Sequence, residues 1–153
     1  MNGGRRLFVI SWAMCLLFVA AASAARADSD DERSKHPIDR ATAACQEMAA
    51  TTAMSLECDD EALKLWEREL NRVYRTLHAK LTPSEQRALE KAQRAWLQFR
   101  DSEFALQREY YSHFIGTIWV QILASIKPEL TRTRALDLQA MLYAVDARPP
   151  QTN

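Results

Sequence analysis

The stretch Leu89-Glu-Lys-Ala-Gln-Arg-Ala-Trp-Leu-Gln-Phe-Arg-Asp101 decides the fold class of this 153-residue chain. Its apolar side chains recur after three, four and three residues, at Leu89, Ala92, Trp96 and Phe99. This spacing is typical of a helix that packs one face against other helices. We therefore predict a bundle helix here, with Trp96 and Phe99 in the core.

Helix signals around this stretch predict two long helices. Thr82 can cap a helix, Pro83 suits its first turn and Glu85 completes a capping box, so a helix is expected over about 83–114. A segment without Gly or Pro over about 52–81 precedes it. Its apolar side chains recur every three or four residues, at Leu63, Trp66, Leu70, Val73, Leu77 and Leu81. Because the link is very short, the two helices should be antiparallel neighbours, with Leu70 and Tyr74 in the core.

Shorter helices are expected on both sides of this pair. The Ala-rich segment 38–50 is predicted to be helical, and Gly116 is expected to end the second long helix. Residues 117–126 then read as a short helix, Pro128 as a break, and Thr131 as the cap of a last helix. With no strand-like alternation, the predicted fold is an all-α antiparallel helical bundle.

The N-terminal sequence predicts export. Arg5 and Arg6 precede an apolar run over 7–22, and Ala25-Arg26-Ala27 fits a small-x-small cleavage site. We predict a signal peptide over 1–27 cleaved near Ala27, hence a periplasmic or secreted protein without a stable membrane anchor. The mature chain would then have a disordered acidic arm (28–37), one helical domain (38–146) and a flexible tail (147–153).

Charge and cysteine usage narrow the class of protein. Without the three leader arginines, 17 basic residues face 20 acidic ones, a net charge of −3, and the two signs are interleaved. This pattern argues against nucleic-acid binding. The mature chain keeps Cys45 and Cys58, which an oxidising compartment is expected to join in a disulfide. Two free buried thiols are the alternative.

The sequence contains no motif for catalysis or for a cofactor. The three histidines form no zinc-binding pattern, three glycines exclude most nucleotide sites, and no serine stands in a nucleophile-elbow motif. Glu109 and His113 are one helical turn apart, but a surface hydrogen bond is more typical of such a pair than a metal site. We therefore predict a protein that is not an enzyme and that binds no metal or cofactor.

Four polar side chains beside the apolar stripes admit two interpretations. Asn71 borders the seam of the first long helix, whereas Gln93, Arg100 and Asp101 border that of the second. They either form a polar lock that sets the register of the helices or contact a ligand directly. We adopt the lock, with Leu70, Tyr74, Trp96 and Phe99 as the apolar signature around it.

Aromatic residues are densest between Tyr110 and Trp119. They either pack the end of the bundle or form a recognition surface, because Tyr and Trp concentrate at interface hot spots. The candidate partner-binding residues in this segment are Tyr110, Tyr111, His113, Gly116 and Trp119.

Several motifs together resemble a known family. After the Cys pair come Leu70-Asn71-x-x-Tyr74-x-x-Leu77, the run Ala92-Gln93-Arg94-Ala95-Trp96-Leu97-x-Phe99-Arg100-Asp101, the Gly116-Thr117-Ile118 turn, and Leu130-Thr131-x-x-Arg134-Ala135-x-x-Leu138. These are similar to the N-terminal domain of LprI-type lysozyme inhibitors, small exported bacterial helical proteins. Many members carry a second Cys pair where this chain has Phe104 and Ile126, and we expect these two side chains to touch.

The resemblance implies a protein partner, lysozyme or a related muramidase, whose cleft would be blocked without any chemistry by the inhibitor. The alternative is a non-catalytic envelope interaction or adaptor module without a hydrolase target. The sequence does not indicate the oligomeric state.

Overall fold

The computed structural model describes residues 36–149. This part of the chain contains four helices joined by short connections. They are α1 (Pro37–Met48), α2 (Thr52–Lys80), α3 (Pro83–Ser112) and α4 (Thr117–Asp146). These residues contain no strand, and the all-α helical bundle is confirmed. The bundle packing belongs to the compact unit that begins at Ala41. The predicted signal peptide, most of the arm and the last four residues lie outside the described residues.

Local capping sets the ends of the long helices close to the predicted positions. The Thr51 hydroxyl accepts a hydrogen bond from the Met54 N–H (3.2 Å) at the start of α2. At the start of α3, the Thr82 hydroxyl accepts from the Glu85 N–H, and the Glu85 carboxylate accepts from the Thr82 N–H (2.9 Å). Arg148 also bonds that carboxylate at 2.9 Å, and these donors lower the pKa of Glu85 to about 2.

The core lies mainly between α2 and α4, which make the most extensive helix contact in the described chain. On α2 the buried apolar residues follow the predicted seam, and those of α4 occupy its C-terminal half. They are Cys58, Ala62, Trp66, Leu70, Val73 and Leu77 on α2, and Ala135, Leu138 and Leu142 on α4. α2 therefore packs mainly against α4. The helix α3, which the short link predicted to be its neighbour, packs less extensively against α2.

Only half of the apolar residues predicted to face the bundle from α3 do so. Leu89 is its single buried residue, Trp96 is half-buried, and Ala92 is exposed. Phe99 is 52% exposed, so its assignment to the core was wrong. Leu89 and Trp96 are seven residues apart, as are Ala92 and Phe99, and these two rows stand about 60° apart around the helix. Of these two rows, only the first carries side chains that are buried or half-buried.

α4 is one continuous helix, so the predicted break at Pro128 was wrong. Proline provides no N–H for the carbonyl of Ala124, which normally ends or kinks a helix. Here Pro128 is buried at the start of the packed row of α4, and this packing offsets the lost hydrogen bond. Thr131 does not cap a helix. Its buried hydroxyl donates instead to the Lys127 carbonyl (3.0 Å) within the helix.

A disulfide between Cys45 and Cys58 joins α1 to α2, as predicted, with Cα atoms 5.8 Å apart. Polar contacts beside it tie the same two helices. The Gln46 amide donates to the Ser55 carbonyl (3.1 Å) and to the Asp59 carboxylate (3.0 Å), and the Ser55 hydroxyl donates back to Gln46 (2.6 Å). Since α1 has no buried residue, these ties hold its C-terminal half in place. Burial raises the pKa of Asp59.

Candidate functional site

The predicted aromatic segment forms the turn between α3 and α4. α3 ends at Ser112, and the Phe114 N–H donates to the Tyr111 carbonyl (3.1 Å) as the chain leaves the helix. Gly116 then precedes α4 with φ +120°, a conformation that side-chain-bearing residues rarely adopt. A Cβ at Gly116 would meet nothing within 4 Å, so the backbone angle and not crowding accounts for the glycine.

Four rings from both sides of the turn form a connected cluster. Tyr111 stacks on Trp119 with ring centroids 5.7 Å apart, and Phe114 lies 4.7 Å from Trp119. Tyr110 extends the cluster by contacting Phe114 at 5.1 Å. Aromatic contacts of this kind add about 0.5–1.5 kcal/mol each beyond the area they bury. The cluster therefore holds the turn in one conformation.

This turn also presents apolar side chains to solvent. Ile115 is 98% exposed at its apex, beside the exposed ring of Phe114. Tyr110, Ile118 and Val120 are exposed as well, whereas Tyr111 and Trp119 are half-buried at the base. We call residues 110–120 the aromatic tip. A contiguous exposed apolar surface of this kind marks an interaction site more often than it serves stability.

The candidate partner-binding residues take different positions in the aromatic tip. Tyr110, Tyr111 and Trp119 contribute rings to the cluster, and Gly116 makes the turn. His113 lies at the end of α3, with its Nε2 3.5 Å from Glu109 and both side chains largely exposed. Sequence reasoning missed Ile115 and Ile118, since an apolar residue in a helical pattern gives no sign of being left uncovered.

No metal-binding group of three or more His, Cys, Asp or Glu side chains occurs in residues 36–149. Glu109 and His113 therefore form a two-residue contact at the surface of the described chain. The aromatic tip is distinguished by its exposed apolar side chains.

The four predicted lock residues do not form a single network. Gln93 accepts a hydrogen bond from Arg134 Nε on α4 (3.1 Å), so it links α3 to α4. Arg100 bonds the adjacent Asp101 (3.0 Å) and lies 3.7 Å from the Glu67 carboxylate of α2. Asn71 is exposed on α2. A role of these side chains in helix register stays a prediction.

Two arginines flank Trp96 at the centre of this region. The guanidinium of Arg100 lies 5.3 Å from the ring centroid, and that of Arg134 lies 6.0 Å from it. Burial lowers the pKa of Arg134. On the α2 side, Asn71, Tyr74, Gln93 and Arg100 help to line an open groove of about 440 Å³.

The expected contact between Phe104 and Ile126 also stays a prediction. Both side chains are half-buried, and the ammonium of Lys127 lies 4.8 Å from the Phe104 ring. The two positions therefore lie at about the same height on α3 and α4.

Fold and surface together define a small all-α bundle with one disulfide and a rigid apolar turn. In the described chain, every helix is too polar or too short to act as a membrane span. The family model of the lysozyme inhibitor LprI matches residues 42–138. The chain belongs to the LprI lysozyme-inhibitor family.

Comparison with other proteins adds a structural relative of unknown role. An uncharacterized protein from Burkholderia thailandensis has a similar crystal structure, with a TM-score of 0.69 and 29% sequence identity. The match covers 72% of this chain and 56% of that protein, so this chain spans little more than half of its length. No curated protein matches the chain.

Proposed function

We propose that this protein is exported and inhibits a lysozyme or a related cell-wall hydrolase by occupying its substrate cleft. Family membership supports the target class. The observation that supports the mode of binding is Ile115, 98% exposed at the apex of a turn that Gly116 shapes and Trp119 backs. The inhibitor would act by shape alone, without chemistry of its own.

The aromatic tip suits a concave partner for physical reasons. Burying one isoleucine side chain contributes about 1.5–3 kcal/mol, and the exposed rings beside it add further apolar area. The ring cluster already orders the turn, so little conformational entropy is lost on binding. A rigid apolar anchor surrounded by Tyr and Phe is typical of interface hot spots.

Charge supports the choice of partner. Cleavage near Ala27 would leave 17 basic and 20 acidic residues, a net charge of −3. Lysozymes are commonly basic, so the two proteins would attract each other at long range. Such steering raises association rates at low ionic strength more than it raises affinity. Association with a basic hydrolase should therefore slow as salt is added.

The test is a lysozyme-inhibition assay with a matched pair of variants. Ile115→Ser should weaken inhibition at least tenfold, because the apex side chain is lost. Met48→Ser removes another exposed apolar side chain, at the end of α1, and should leave inhibition unchanged. Both sites are exposed, so the variants should keep the parent's thermal stability.

Two results would contradict this proposal. Lysozyme that keeps its full rate in a large molar excess of the protein would exclude it as the target. Co-purification of one stoichiometric partner that is not a muramidase would favour an envelope adaptor instead.

A further inference from the structure

One face of α3 is apolar over most of the helix and yet exposed. Six residues fall within an arc of about 60° when successive residues turn by about 100°. They are Ala88, Ala92, Ala95, Phe99, Leu106 and Tyr110, and all six are exposed. We call them the α3 stripe.

The bundle-facing side of α3 is more polar than the α3 stripe. Half-buried Gln93, Arg100 and Gln107 lie on that side together with the apolar residues Leu89, Trp96 and Phe104, whereas half-buried Glu103 borders the stripe. A surface helix normally keeps its solvent-facing side polar, so an exposed face as apolar as the α3 stripe is unusual. The α3 stripe is therefore an apolar surface that the rest of residues 36–149 leaves uncovered.

The side chains of the α3 stripe change size along the helix. Its N-terminal half carries three alanines, and its C-terminal half carries Phe99, Leu106 and Tyr110. We propose that the partner is a second copy of this chain, bound through the same stripe with the two α3 helices antiparallel and Phe99 on the two-fold axis. This proposal does not rest on the proposed function, but the two surfaces share Tyr110, which the dimer would cover.

This symmetry pairs small residues with large ones. Ala92 lies seven residues before Phe99 and would face Leu106 of the second copy, seven residues after it. Ala88 lies eleven residues before Phe99 and would face Tyr110, eleven after it. A two-fold interface makes each of these contacts twice. Parallel helices would instead oppose alanine to alanine and leave voids.

A recess lies beside the alanine half of the stripe. Between α3 and α4 a cavity of about 440 Å³ is lined by Ala88 and Ala92 from α3 and by Met141 and Ala144 from α4, among others. Leu106 and Tyr110 of the second copy would enter this recess. The large side chains of one half of the stripe would thus fill the space left by the small side chains of the other half.

Charges along one edge of the stripe agree with the same arrangement. Lys91 and Glu109 lie on the same side, each about 80° around the helix from Phe99. Lys91 stands eight residues before Phe99, and Glu109 stands ten residues after it. In the antiparallel pair, Lys91 of one copy and Glu109 of the other therefore lie within about 3 Å of each other along the helix axis. Both are exposed, and symmetry would form two ion pairs. Parallel helices would place the two Lys91 side chains on opposite edges of the interface, and likewise the two Glu109 side chains, so these ion pairs would not form.

The first test uses single cysteines in the purified protein with its native disulfide intact. Phe99→Cys would lie on the two-fold axis, so mild oxidation should link two copies in high yield. Arg108→Cys, exposed on the far side of α3, should remain monomeric under the same conditions. Equal cross-linking of the two variants, or none at Phe99→Cys, would overturn the proposal.

The second test measures association by sedimentation equilibrium. Lys91→Glu should weaken dimerisation roughly tenfold, since two ion pairs become repulsive contacts. Adding Glu109→Lys should restore the affinity by reversing both charges. A double variant no better than the single one, or an unmodified protein that stays monomeric at high micromolar concentration, would contradict the antiparallel pairing.

Discussion

Trp66 and Trp96 occupy different environments although both fall on apolar helical stripes. Trp66 is 2% exposed on α2, with the Arg132 guanidinium 5.7 Å from its ring. Trp96 is half-buried on α3 between two guanidinium groups. Because the two side chains are identical, the difference in burial should decide how much each tryptophan contributes to the free energy of unfolding.

We expect Trp66→Ala to lower the free energy of unfolding by about 3–5 kcal/mol, because it leaves a cavity between α2 and α4. Trp96→Ala should cost less, about 1–2 kcal/mol, because less apolar area is lost from a half-buried site. Urea denaturation of both variants measures the difference. An equal or larger cost at Trp96 would place α3 deeper in the core than the structure does.

Asp59 supports a prediction about pH. Burial holds its folded pKa above the ordinary 3.8, so the folded state binds the proton more readily than the unfolded chain. Stability from this group is therefore gained as pH falls through the folded pKa toward 3.8, and ionised Asp59 is a cost at neutral pH. Asp59→Asn keeps an oxygen that can accept from Gln46, and it removes this charge.

Asp59→Asn should raise Tm at pH 7 by a few degrees, roughly the effect of 1 kcal/mol on a domain of this size. The gain should shrink as the pH approaches 4, where the parent carboxyl becomes protonated. Calorimetry at both pH values provides the measurement. A gain that does not depend on pH would point to altered packing and not to ionisation.

At the scale of single elements, α4 shows packing overriding a local signal. Pro128 cannot donate to the Ala124 carbonyl, yet the helix runs from Thr117 to Asp146. The proline ring is buried at the start of the packed row, and Thr131 bonds a carbonyl within the same turn. The helix is therefore maintained against its own backbone preference.

Pro128→Ala should consequently stabilise the protein by about 1–3 kcal/mol, because it restores an N–H donor and a better helix former at some loss of buried area. Thr131→Val is the matched control nearby and should cost about 1 kcal/mol through loss of its hydrogen bond. Chemical denaturation distinguishes the two. Destabilisation by Pro128→Ala would mean that the buried ring matters more than the backbone bond.

At the scale of the whole molecule, the disulfide bears on the predicted export of the protein. A bridge between Cys45 and Cys58 closes a short loop and contributes about 3 kcal/mol in the chain-entropy model. Its formation requires an oxidising compartment, which agrees with the predicted signal peptide.

The protein recovered from a periplasmic extract should have the mass of residues 28–153 less two hydrogens. Reduction should raise the measured mass by two hydrogens, which shows that the missing hydrogens were due to the disulfide. A mass that includes residues 1–27 would refute cleavage near Ala27, and an unchanged mass on reduction would refute the bridge in the cell.

Much of the fold could be predicted because its signals are local. Capping residues such as Thr82 and Glu85 set helix ends through bonds three residues apart, and the predicted mature chain contains only two cysteines that could pair. The seam of α2 was also predictable, because all its apolar residues lie on one face. For the site, the sequence located the aromatic tip but not which of its side chains stay uncovered.

The sequence by itself determined the all-α class, the two long helices α2 and α3, and the family of this protein. Only the tertiary structure decided that α2 pairs mainly with α4, that Leu89 and Trp96 turn inward while Ala92 and Phe99 do not, and that Ile115 stays in solvent. Periodicity reports that a helix is amphipathic. Which of two adjacent rows becomes buried depends on the competition among all helices for the same apolar surface.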